Sequence, residues 1–344
     1  MKIFRKIAIV LVPFYWILTW LYHRCFDWGL LKSKSFDYPI ICVGNLVVGG
    51  TGKTPMIEYL IHLLQPHFTV ATLSRGYKRT SKGFVLADET SNSEIIGDEP
   101  LQFYKKHKNL IVAVDESRVR GINKLLKLNK KPEVILLDDA FQHRKVKAGF
   151  NMLLTAFDDL YVDDILLPTG NLREPIVGAK RAQIIVVTKC PPQLSEAQKL
   201  QIGSRLKLHE DQSIHFSSIN YSENLINQQS ELSLNSLKGS PFTLVTGIAN
   251  PKPLVDFLNG KGLEFEHLSY KDHHHFTEED IKLLATKKML VTTEKDFVRL
   301  QPKLGTLTFL YYLPITVTLD NASEFNKSIE AYIKGYYSIE AFDD

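Results

Sequence analysis

The sequence predicts an α/β protein built on a doubly wound, mostly parallel sheet, with a second, smaller α/β domain after it and an apolar helix before it. Three observations support this. From residue 40 onward, short apolar runs alternate with helical patterns, as in parallel sheets that are covered by helices. A shorter alternation begins at residue 242. The first residues form an uncharged, aromatic-rich run between two groups of basic side chains.

The apolar runs are short and nearly free of polar residues, which is typical of strands buried on both faces. In the larger domain they predict strands at residues 40–43, 68–73, 110–114, 134–137, 152–155 and 184–188, with helices at 57–64, 99–106 and 118–128. In the smaller domain they predict strands at 242–246, 265–270 and 289–293, with helices at 253–258 and 324–336. In such sheets, ligands bind at the carboxyl ends of the strands.

Changes in composition define the domain boundaries. Residues 1–36 carry the apolar helix, and residues 37–218 form the larger domain. Residues 219–240 are rich in Ser, Asn and Gln, and we interpret them as an inter-domain linker. The smaller α/β domain then covers residues 241–344.

The overall composition is that of a globular protein. The 344 residues include 44% hydrophobic and 23% charged side chains. The net charge of +4 is too small to indicate nucleic acid as a partner, and none is expected. The three cysteines are far apart and odd in number, which argues against a disulfide or zinc framework and suits a reducing compartment.

The N-terminal segment has the features of a membrane-associating helix. Lys2, Arg5 and Lys6 precede an uncharged run over residues 7–22 that is rich in Trp and Tyr. The run is shorter than the roughly 20 residues that cross a bilayer, and Pro13 interrupts it. Aromatic and basic side chains favour the headgroup region. We therefore expect a helix that lies in, or dips into, the cytoplasmic leaflet; the alternative is a helix packed on its own domain.

The turn after the first strand has the pattern of a phosphate-binding loop. The residues expected to bind the phosphates are Gly49, Gly50, Thr51, Gly52, Lys53 and Thr54. Glycines allow successive N–H groups to point into one concavity at a helix N-terminus, where Lys53 can reach the terminal phosphates and Thr54 can ligate Mg²⁺. Val47 replaces the usual first glycine, so Gly49 and Gly50 would supply the backbone freedom. The pattern predicts a P-loop NTPase-like fold that binds a nucleoside triphosphate; the alternative is an ordinary glycine-rich turn.

Two adjacent carboxylates follow the strand at residues 134–137. Asp138 and Asp139 are placed to hold Mg²⁺ or its waters opposite Thr54. A helix cap or a turn would use the same residue types. Residues 140–144 add an amide, an imidazole and a guanidinium, which is more polar function than a solvated turn needs.

Asp98 and a histidine run are candidates for proton transfer. Asp98 lies at a loop-to-helix junction, where it could accept a proton from a sugar hydroxyl or cap the helix. His273, His274 and His275 are consecutive, so they cannot all face one metal ion in a regular helix or strand. One of them is a candidate general base or partner of a carboxylate, and a surface histidine run is the alternative.

Arg75, Tyr77 and Arg173 are candidates for ligand binding. The first two follow the second strand, and Arg173 follows a loop that contains Gly170. Guanidinium groups suit phosphate and tyrosine suits a sugar face, whereas ordinary surface salt bridges are the alternative.

Several motifs occur together in one order along the chain, at residues 44–55, 74–77, 97–100, 138–144, 172–175, 272–274 and 293–296. With the N-terminal helix, they closely resemble the tetraacyldisaccharide 4′-kinases, the lipid A kinases of Gram-negative bacteria. The resemblance covers nearly the whole chain. Ala140 stands where this family often has glycine, a departure that removes no functional group.

The resemblance implies that ATP phosphorylates the 4′-hydroxyl of a tetraacyldisaccharide 1-phosphate lipid at the cytoplasmic face of the inner membrane. It also implies that residues 49–54 bind ATP, with Lys53 on the β/γ side. Thr54, Asp138 and Asp139 would support Mg²⁺.

The resemblance further implies that Asp98 acts on the 4′-hydroxyl, assisted by His273 from the second domain. The residues that would line the acceptor side are Arg75, Tyr77, His143 and Arg173. Asp98 and His273 lie on different domains, so this arrangement implies that the cleft closes before chemistry.

The alternative functions are a membrane-associated P-loop ATPase or GTPase switch, or a nucleotide-gated adaptor. Lys189 is followed by Cys190 and Pro191, so the aspartate of the guanine-binding N-K-x-D pattern is missing. Val47 and Val48 occupy the region where some membrane ATPases carry a second lysine. These departures favour the kinase.

Overall fold

The computed structural model describes residues 8–305 and 309–337 and contains two large sheets, a two-stranded ribbon and the helices around them. The strands are β1 (Lys34–Ser35), β2 (Ile40–Asn45), β3 (Val70–Ser74), β4 (Val85–Leu86), β5 (Ile111–Val114), β6 (Val134–Asp138), β7 (Val146–Lys147), β8 (Phe150–Ala156), β9 (Ile184–Thr188), β10 (Ser213–Tyr221), β11 (Asn224–Ile226), β12 (Glu231–Ser233), β13 (Phe242–Thr246), β14 (Phe265–Ser269), β15 (Met289–Thr293), β16 (Phe309–Leu313) and β17 (Ile315–Leu319). The α-helices are α1 (Val12–Asp27), α2 (Lys53–Leu64), α3 (Ser93–Ile96), α4 (Asp98–Lys106), α5 (Arg118–Leu125), α6 (Glu196–Leu206), α7 (Lys252–Gly260), α8 (Glu278–Ala285), α9 (Glu294–Leu304) and α10 (Ala322–Lys334).

Within the described residues, nine strands form the larger sheet, in the order β17-β10-β9-β8-β2-β6-β3-β5-β4. The inner strands are parallel, and β4 and β17 pair antiparallel at the two edges. The strands β2, β3, β6 and β9 are buried along their whole length, which explains their unbroken apolar sequences. Their side chains alternate between two hydrophobic clusters, one on each face. The predicted doubly wound, mostly parallel sheet is confirmed.

The order of the strands brings the predicted motifs to one edge of this sheet. Strand β2 lies between β6 and β8, so the loop after β2 lies beside the carboxylates that end β6. Strand β3 is the other neighbour of β6, and it leads into Arg75. The carboxyl ends of these parallel strands therefore form a common floor.

The smaller sheet has, among the described residues, six strands in the order β12-β11-β16-β15-β13-β14. Its core contains Leu244, Leu254, Leu258 and Val291, contributed by strands and by α7. The strands predicted at residues 242–246 and 289–293 have the predicted bounds.

Residues 219–240 were interpreted as a linker, and the structure differs there. They include the end of β10 and the strands β11 and β12, which belong to the smaller sheet. Leu225, Leu234 and Leu237 are buried in the core of that sheet. These leucines are isolated among polar residues, so composition averaged over the segment hides them.

Residues 315–337 also differ from the prediction, which placed them in the smaller domain with the rest of 241–344. Strand β17 pairs with β10 of the larger sheet. The apolar stripe of α10, which is Phe325, Ile329 and Ile333, is fully buried in a cluster of the same sheet. An apolar stripe predicts that a helix has a buried face but does not identify the sheet on which it packs.

The N-terminal helix makes polar contacts with the protein, buries only Phe26 and exposes an apolar face. On the inner face, Tyr15 Oη donates a hydrogen bond to the Arg173 carbonyl oxygen at 2.9 Å, and His23 Nε2 lies 3.2 Å from Glu174 Oε2. Asp27 accepts a hydrogen bond from Arg144 at 2.7 Å. The exposed side chains include Phe14, Ile17, Leu18 and Leu21. This is the reverse of the polarity expected for a helix on the surface of a soluble domain.

The helical segment Ala8–Asp27 is 20 residues long, and by length and composition it could cross a membrane. Only 6% of its most apolar window is buried inside the protein. Pro13 does not interrupt the helix, because it lies in the first turn of α1, where a missing N–H is tolerated. The helix is therefore longer than the uncharged run, because it continues through Arg24 to Asp27.

Replacing Gly44 with alanine is expected to destabilise the fold. The added Cβ would lie 2.6 Å from Phe141 Cβ and 3.1 Å from the Phe141 backbone nitrogen, which forces β2 away from the segment after Asp139. Overpacking of this kind costs about 1–3 kcal/mol, so the midpoint of thermal unfolding should fall by several degrees. In the control variant Gly203→Ala the Cβ enters open space, and the midpoint should not fall. An unchanged midpoint in Gly44→Ala would contradict this close approach.

Candidate active site

Hydrogen bonds from neighbouring side chains fix the conformation of the loop between β2 and α2. Gly49 and Gly52 have φ of +138° and +82°, which confirms the expected backbone freedom at Gly49. Asn45 Nδ2 donates to Thr51 Oγ1 at 2.8 Å, and Thr188 Oγ1 at the end of β9 donates to the Thr51 carbonyl oxygen at 2.8 Å. Lys189 Nζ donates to the Gly50 carbonyl oxygen. Two of these bonds occupy carbonyl oxygens of the loop, and the third fixes the Thr51 hydroxyl. The first N–H groups of α2 have no acceptor within the helix, so they can bind an anion.

Val47 departs from the usual glycine because it lies outside the loop proper. Its side chain is buried, and its backbone forms an antiparallel bridge with Leu172. The next residue, Val48, donates its N–H to the Asn171 carbonyl oxygen at 2.8 Å. A short β-bridge accepts valine, so the flexible part of the loop begins only at Gly49.

Asp139 lies between two cations at the end of β6. Its Oδ1 accepts a hydrogen bond from Arg173 Nη1 at 2.9 Å and lies 3.7 Å from Lys53 Nζ. Burial opposes its ionisation, but Lys53 and Arg173 outweigh burial and lower the pKa of Asp139. Lys53, Asp139 and Arg173 therefore lie together at the end of β6.

Asp138 is buried beside it and is not neutralised to the same extent. Burial and the neighbouring Asp139 raise the pKa of Asp138 to about 7. Its Oδ1 is buried and makes no hydrogen bond within the described part of the chain. Such an atom calls for a bound partner, because an unpaired buried carboxylate is costly.

The carboxylates at the end of β6 fit Mg²⁺ better than a metal ion that is bound only by protein side chains. Within residues 8–305 and 309–337, no group of three or more His, Cys, Asp or Glu side chains could hold a metal ion. Mg²⁺ is usually bound by one or two carboxylates together with substrate phosphates and water. Asp138, with its unpaired oxygen, and the Thr54 hydroxyl in the first turn of α2 supply oxygen ligands of this type.

Asp98 contacts a cluster from the smaller-sheet unit. Its Oδ2 accepts hydrogen bonds from Arg299 Nε at 2.8 Å and Arg299 Nη2 at 2.5 Å, and it lies 3.4 Å from His273 Nδ1. Gly97, rather than Asp98, is the N-cap of α4. Burial favours the neutral carboxyl, but the bonds from His273 and Arg299 outweigh it and lower the pKa of Asp98 to about 2.

Each ring nitrogen of His273 has a cation beside it. Lys295 Nζ lies 2.9 Å from Nε2, and Arg299 Nη2 lies 3.0 Å from Nδ1. Nδ1 also lies 3.4 Å from Asp98 Oδ2, so His273 and Arg299 face the same carboxylate oxygen. His273 has φ of +55°, a left-handed backbone conformation that is uncommon for residues other than glycine.

The other two histidines have different surroundings. His274 Nε2 bonds to Asp280 at 2.8 Å, and Asp280 belongs to the capping box of α8. His275 is exposed. Of the three, His273 alone contacts Asp98 among the described residues.

The candidate acceptor residues lie around His143 and His273. The Tyr77 ring is exposed and meets His273 edge to face, with centroids 5.5 Å apart. Burial, followed by the charges of Arg118 and Arg75, lowers the pKa of His143 to about 4, so His143 is neutral at pH 7. Arg75 is exposed, and it lies close enough to His143 to act on it electrostatically.

Sequence reasoning missed several residues of this site, including Arg299, Lys189, Glu174 and Arg118. Arg299 follows Asp296 by three residues on α9, and its guanidinium also contacts Asp296 at 3.3 Å. That spacing was the available signal, because residues three apart share a helix face. Arg118 is buried and donates to the Asp138 carbonyl oxygen at 3.1 Å, a contact that no local pattern predicts.

Comparison with known proteins gives one family over the whole chain. A family model described as tetraacyldisaccharide-1-P 4′-kinase (LpxK) matches residues 7–334. Two relatives bear the name tetraacyldisaccharide 4′-kinase. The one from Flavobacterium johnsoniae is 52% identical over 338 residues, which cover 97% of this chain and 98% of the relative. The one from Bacteroides thetaiotaomicron is 44% identical over 360 residues, which cover 96% and 94%.

A solved structure agrees with these relatives. The crystal structure of LpxK from Aquifex aeolicus, described as an apo form in complex with ATP, matches with a TM-score of 0.77 and 30% identity. The match covers 96% of this chain and 99% of that one, which confirms the predicted fold class. The chain therefore belongs to the tetraacyldisaccharide 4′-kinase family, and it is a kinase.

Proposed function

We propose that this chain transfers the γ-phosphoryl group of ATP, bound with Mg²⁺, to the 4′-hydroxyl of a tetraacyldisaccharide 1-phosphate lipid at the cytoplasmic leaflet of the inner membrane. The main support is the position of Asp98. Its neighbour Glu99 acts electrostatically on Asp138 and lies 3.2 Å from Lys295. Lys295 in turn lies 2.9 Å from His273 Nε2, and this series of contacts supports a position for Asp98 and His273 near the residues that would bind ATP.

The phosphate side is assigned to residues 49–54. Their backbone N–H groups and Lys53 would bind the β- and γ-phosphates, and Thr54, Asp138 and Asp139 would support Mg²⁺. When bound, Mg²⁺ neutralises charge on the phosphates. Arg173 keeps Asp139 ionised and oriented by its hydrogen bond at 2.9 Å.

The acceptor side is assigned to Asp98 and His273, and the residues that line it are Arg75, Tyr77, His143 and Arg173. A carboxylate with a pKa of about 2 is a weak base, so Asp98 orients the hydroxyl and takes its proton only as the new P–O bond forms. Phosphoryl transfer has a loose transition state and requires little earlier proton removal. His273, whose Nδ1 lies 3.4 Å from Asp98 Oδ2, would stabilise Asp98 in the orientation that faces the hydroxyl.

Replacing Arg299 with alanine is expected to move the acid limb of kcat/KM to higher pH and to lower kcat about tenfold. Without Arg299, burial acts on Asp98 with less opposition, so its pKa rises and the carboxylate is protonated at mildly acidic pH. The low pKa of Asp98 also stabilises the native fold at pH values above the ordinary carboxyl pKa. This contribution is lost as the pH falls towards about 2. Arg299→Ala should lose part of this stabilisation.

The measurement is a pH–rate profile with the acceptor lipid. The variant Arg299→Lys keeps a cation and should shift the acid limb of the profile less. The control Arg205→Ala removes an exposed arginine of α6 that pairs with Asp163, and it should not shift the acid limb. If Arg299→Ala loses activity equally at all pH values, Arg299 has only a structural role.

The membrane assignment is supported by the inverted polarity of α1. Its exposed face is apolar, while its polar face contacts Arg173 and Glu174 on the acceptor side. An acceptor with four acyl chains cannot leave the bilayer without exposing them, at a cost of about 0.8 kcal/mol per CH₂. The enzyme therefore has to work at the membrane surface.

Replacing Leu18 and Leu21 together with glutamate is expected to release the protein from phospholipid vesicles while it still binds ATP. Both side chains are exposed on α1, and two carboxylates there oppose insertion into the apolar region. Vesicle flotation measures the effect. The control variant Leu200→Glu changes an exposed leucine on α6 and should float like the wild type. Equal flotation of all three proteins would refute the anchor.

The transfer itself is tested with ATP labelled at the γ-phosphate and a purified tetraacyldisaccharide 1-phosphate. We expect the label at the 4′-oxygen of the lipid, in a reaction that requires Mg²⁺ and prefers ATP to GTP. Release of labelled phosphate without lipid product, or preference for GTP, would favour a nucleotide switch and reject this function.

A further inference from the structure

A cavity outside the nucleotide site separates the N-terminal helix from the 3₁₀ helix Ile176–Arg181. Its volume is about 210 Å³, and its lining includes Trp20, Arg24, Val177 and Lys180. None of its lining residues has been assigned to ATP, Mg²⁺ or the acceptor hydroxyl. We call it the helix pocket.

The lining of the helix pocket has an excess of positive charge. The cations are Arg24, Arg144, Lys180 and Arg181, and the carboxylates are Asp27 and Glu174. Burial lowers the pKa of His23, which also lines the pocket, so His23 adds no charge at neutral pH.

Two of the four cations already have structural partners. Arg181 Nη2 donates to both Glu174 oxygens at 2.8 Å, and Arg144 donates to Asp27 and to the His23 carbonyl oxygen at 2.7 Å each. These bonds neutralise both carboxylates and attach α1 to the protein. The other two cations, Arg24 and Lys180, are less fully compensated.

Arg24 and Lys180 are the cations available to a ligand. Lys180 is exposed and makes no hydrogen bond or ion pair within the described part of the chain. Arg24 stacks over the Trp20 ring at 5.5 Å and only approaches Asp27, at 3.5 Å. One positively charged side chain therefore lies on each side of the helix pocket: Arg24 on α1 and Lys180 on the 3₁₀ helix.

The other walls of the helix pocket are apolar and continue into exposed apolar surface. Trp20, Pro175 and Val177 line it, and Val177 and Ile176 are about half exposed, at 49% and 39%. Tryptophan and basic side chains together are typical of the depth at which lipid phosphates lie. A ligand that joins a phosphate to acyl chains matches this combination of walls.

We propose that the helix pocket binds the phosphate of an acylated membrane lipid, through Arg24 and Lys180. Two kinds of molecule carry such a phosphate: an anionic phospholipid of the bilayer, and the acceptor itself through its 1-phosphate. The second source rests on the proposed function. In that case the helix pocket would hold the 1-phosphate end of the acceptor while its 4′-hydroxyl reaches Asp98.

A chain of side chains connects the helix pocket to the phosphate side of the site. Glu174 accepts from Gln142 Nε2 at 2.9 Å, Gln142 Oε1 accepts from Arg173 Nη1 at 3.3 Å, and Arg173 donates to Asp139 at 2.9 Å. A lipid phosphate in the helix pocket would therefore be connected through these side chains to Asp139.

The test compares full-length wild type, the double variant Arg24→Ala/Lys180→Ala, and the control Lys127→Ala/Lys130→Ala, which removes two exposed lysines near the end of α5. One arm measures flotation on phosphatidylcholine vesicles with and without phosphatidylglycerol. The other measures KM for the 1-phosphate acceptor and for an analogue with a free 1-hydroxyl. ATP binding, measured separately, verifies that each variant is folded.

If the bilayer supplies the phosphate, the double variant loses between about fivefold and thirtyfold in affinity for the phosphatidylglycerol vesicles, and the control does not. If the acceptor supplies it, KM rises by a similar factor for the 1-phosphate lipid but not for the analogue. If neither quantity differs from the control, the proposal is overturned. The vesicle arm needs no catalysis, so failure of the proposed function would be seen separately, as a wild type that transfers no phosphate.

Discussion

Replacing Lys53 with alanine is expected to lower kcat for transfer to lipid by a factor on the order of a thousand. Lys53 begins α2, and its ammonium lies 3.7 Å from Asp139 Oδ1. Without it, the terminal phosphates lose a positioned cation, and Asp138 and Asp139 are left with one compensating charge fewer. The measurement is the initial rate with labelled ATP and the acceptor lipid.

Two controls make the Lys53 result specific. Lys127→Ala removes an exposed lysine at the other side of the larger sheet and should keep wild-type turnover. Lys189→Ala removes the hydrogen bond to the Gly50 carbonyl oxygen and should weaken ATP binding without abolishing transfer. Wild-type turnover in Lys53→Ala would disprove the assignment of the phosphate loop.

Replacing Asp98 with asparagine is expected to lower kcat by about 10²–10⁴, with little change in the Kd for ATP. Asparagine has nearly the same shape and can still accept a hydrogen bond from Arg299, but it cannot take a proton from the acceptor hydroxyl. The loss should therefore appear in kcat rather than in nucleotide binding. Single-turnover rates and ATP titrations measure the two quantities.

A structural role for Asp98 would give a different result. If Asp98 served only to join the two sheets through Arg299, kcat and ATP affinity would fall together, and the unfolding temperature would fall with them. Asp211→Asn, a change at an exposed carboxylate remote from these contacts, provides the reference for both measurements.

The larger sheet was predictable because its strands are buried on both faces. Strands such as β6 and β9 therefore appear in the sequence as unbroken apolar runs, and the motif residues follow where each strand ends. The residues from 49 to 54 and the pair Asp138 and Asp139 could be located for this reason. Their proximity follows from β2 and β6 being neighbours.

The elements that were misplaced lack such a local signal. Strands β11 and β12 are each three residues long, and their buried leucines lie in a polar segment. The assignment of β17 and α10 to the larger sheet depends on contacts with β10 and α2, which are distant in sequence. Periodicity predicts a buried face, and only the assembled fold shows what covers it.

The same distinction applies to the candidate site. Asp98 and His273 were found as separate candidates, each with an alternative, and their contact at 3.4 Å could not be derived from spacing. Arg299, which contacts Asp98 across 201 positions, was missed altogether. Its helix appears amphipathic, and a cation on such a helix is ordinarily a solvated surface group.

The most direct test is a structure of the protein with Mg²⁺ and a non-hydrolysable ATP analogue. The account predicts that the β- and γ-phosphates contact the N–H groups of residues 49–54, with Lys53 beside them and the terminal phosphorus facing the Asp98 carboxylate. A nucleotide bound elsewhere, or a terminal phosphate directed away from Asp98, would contradict it.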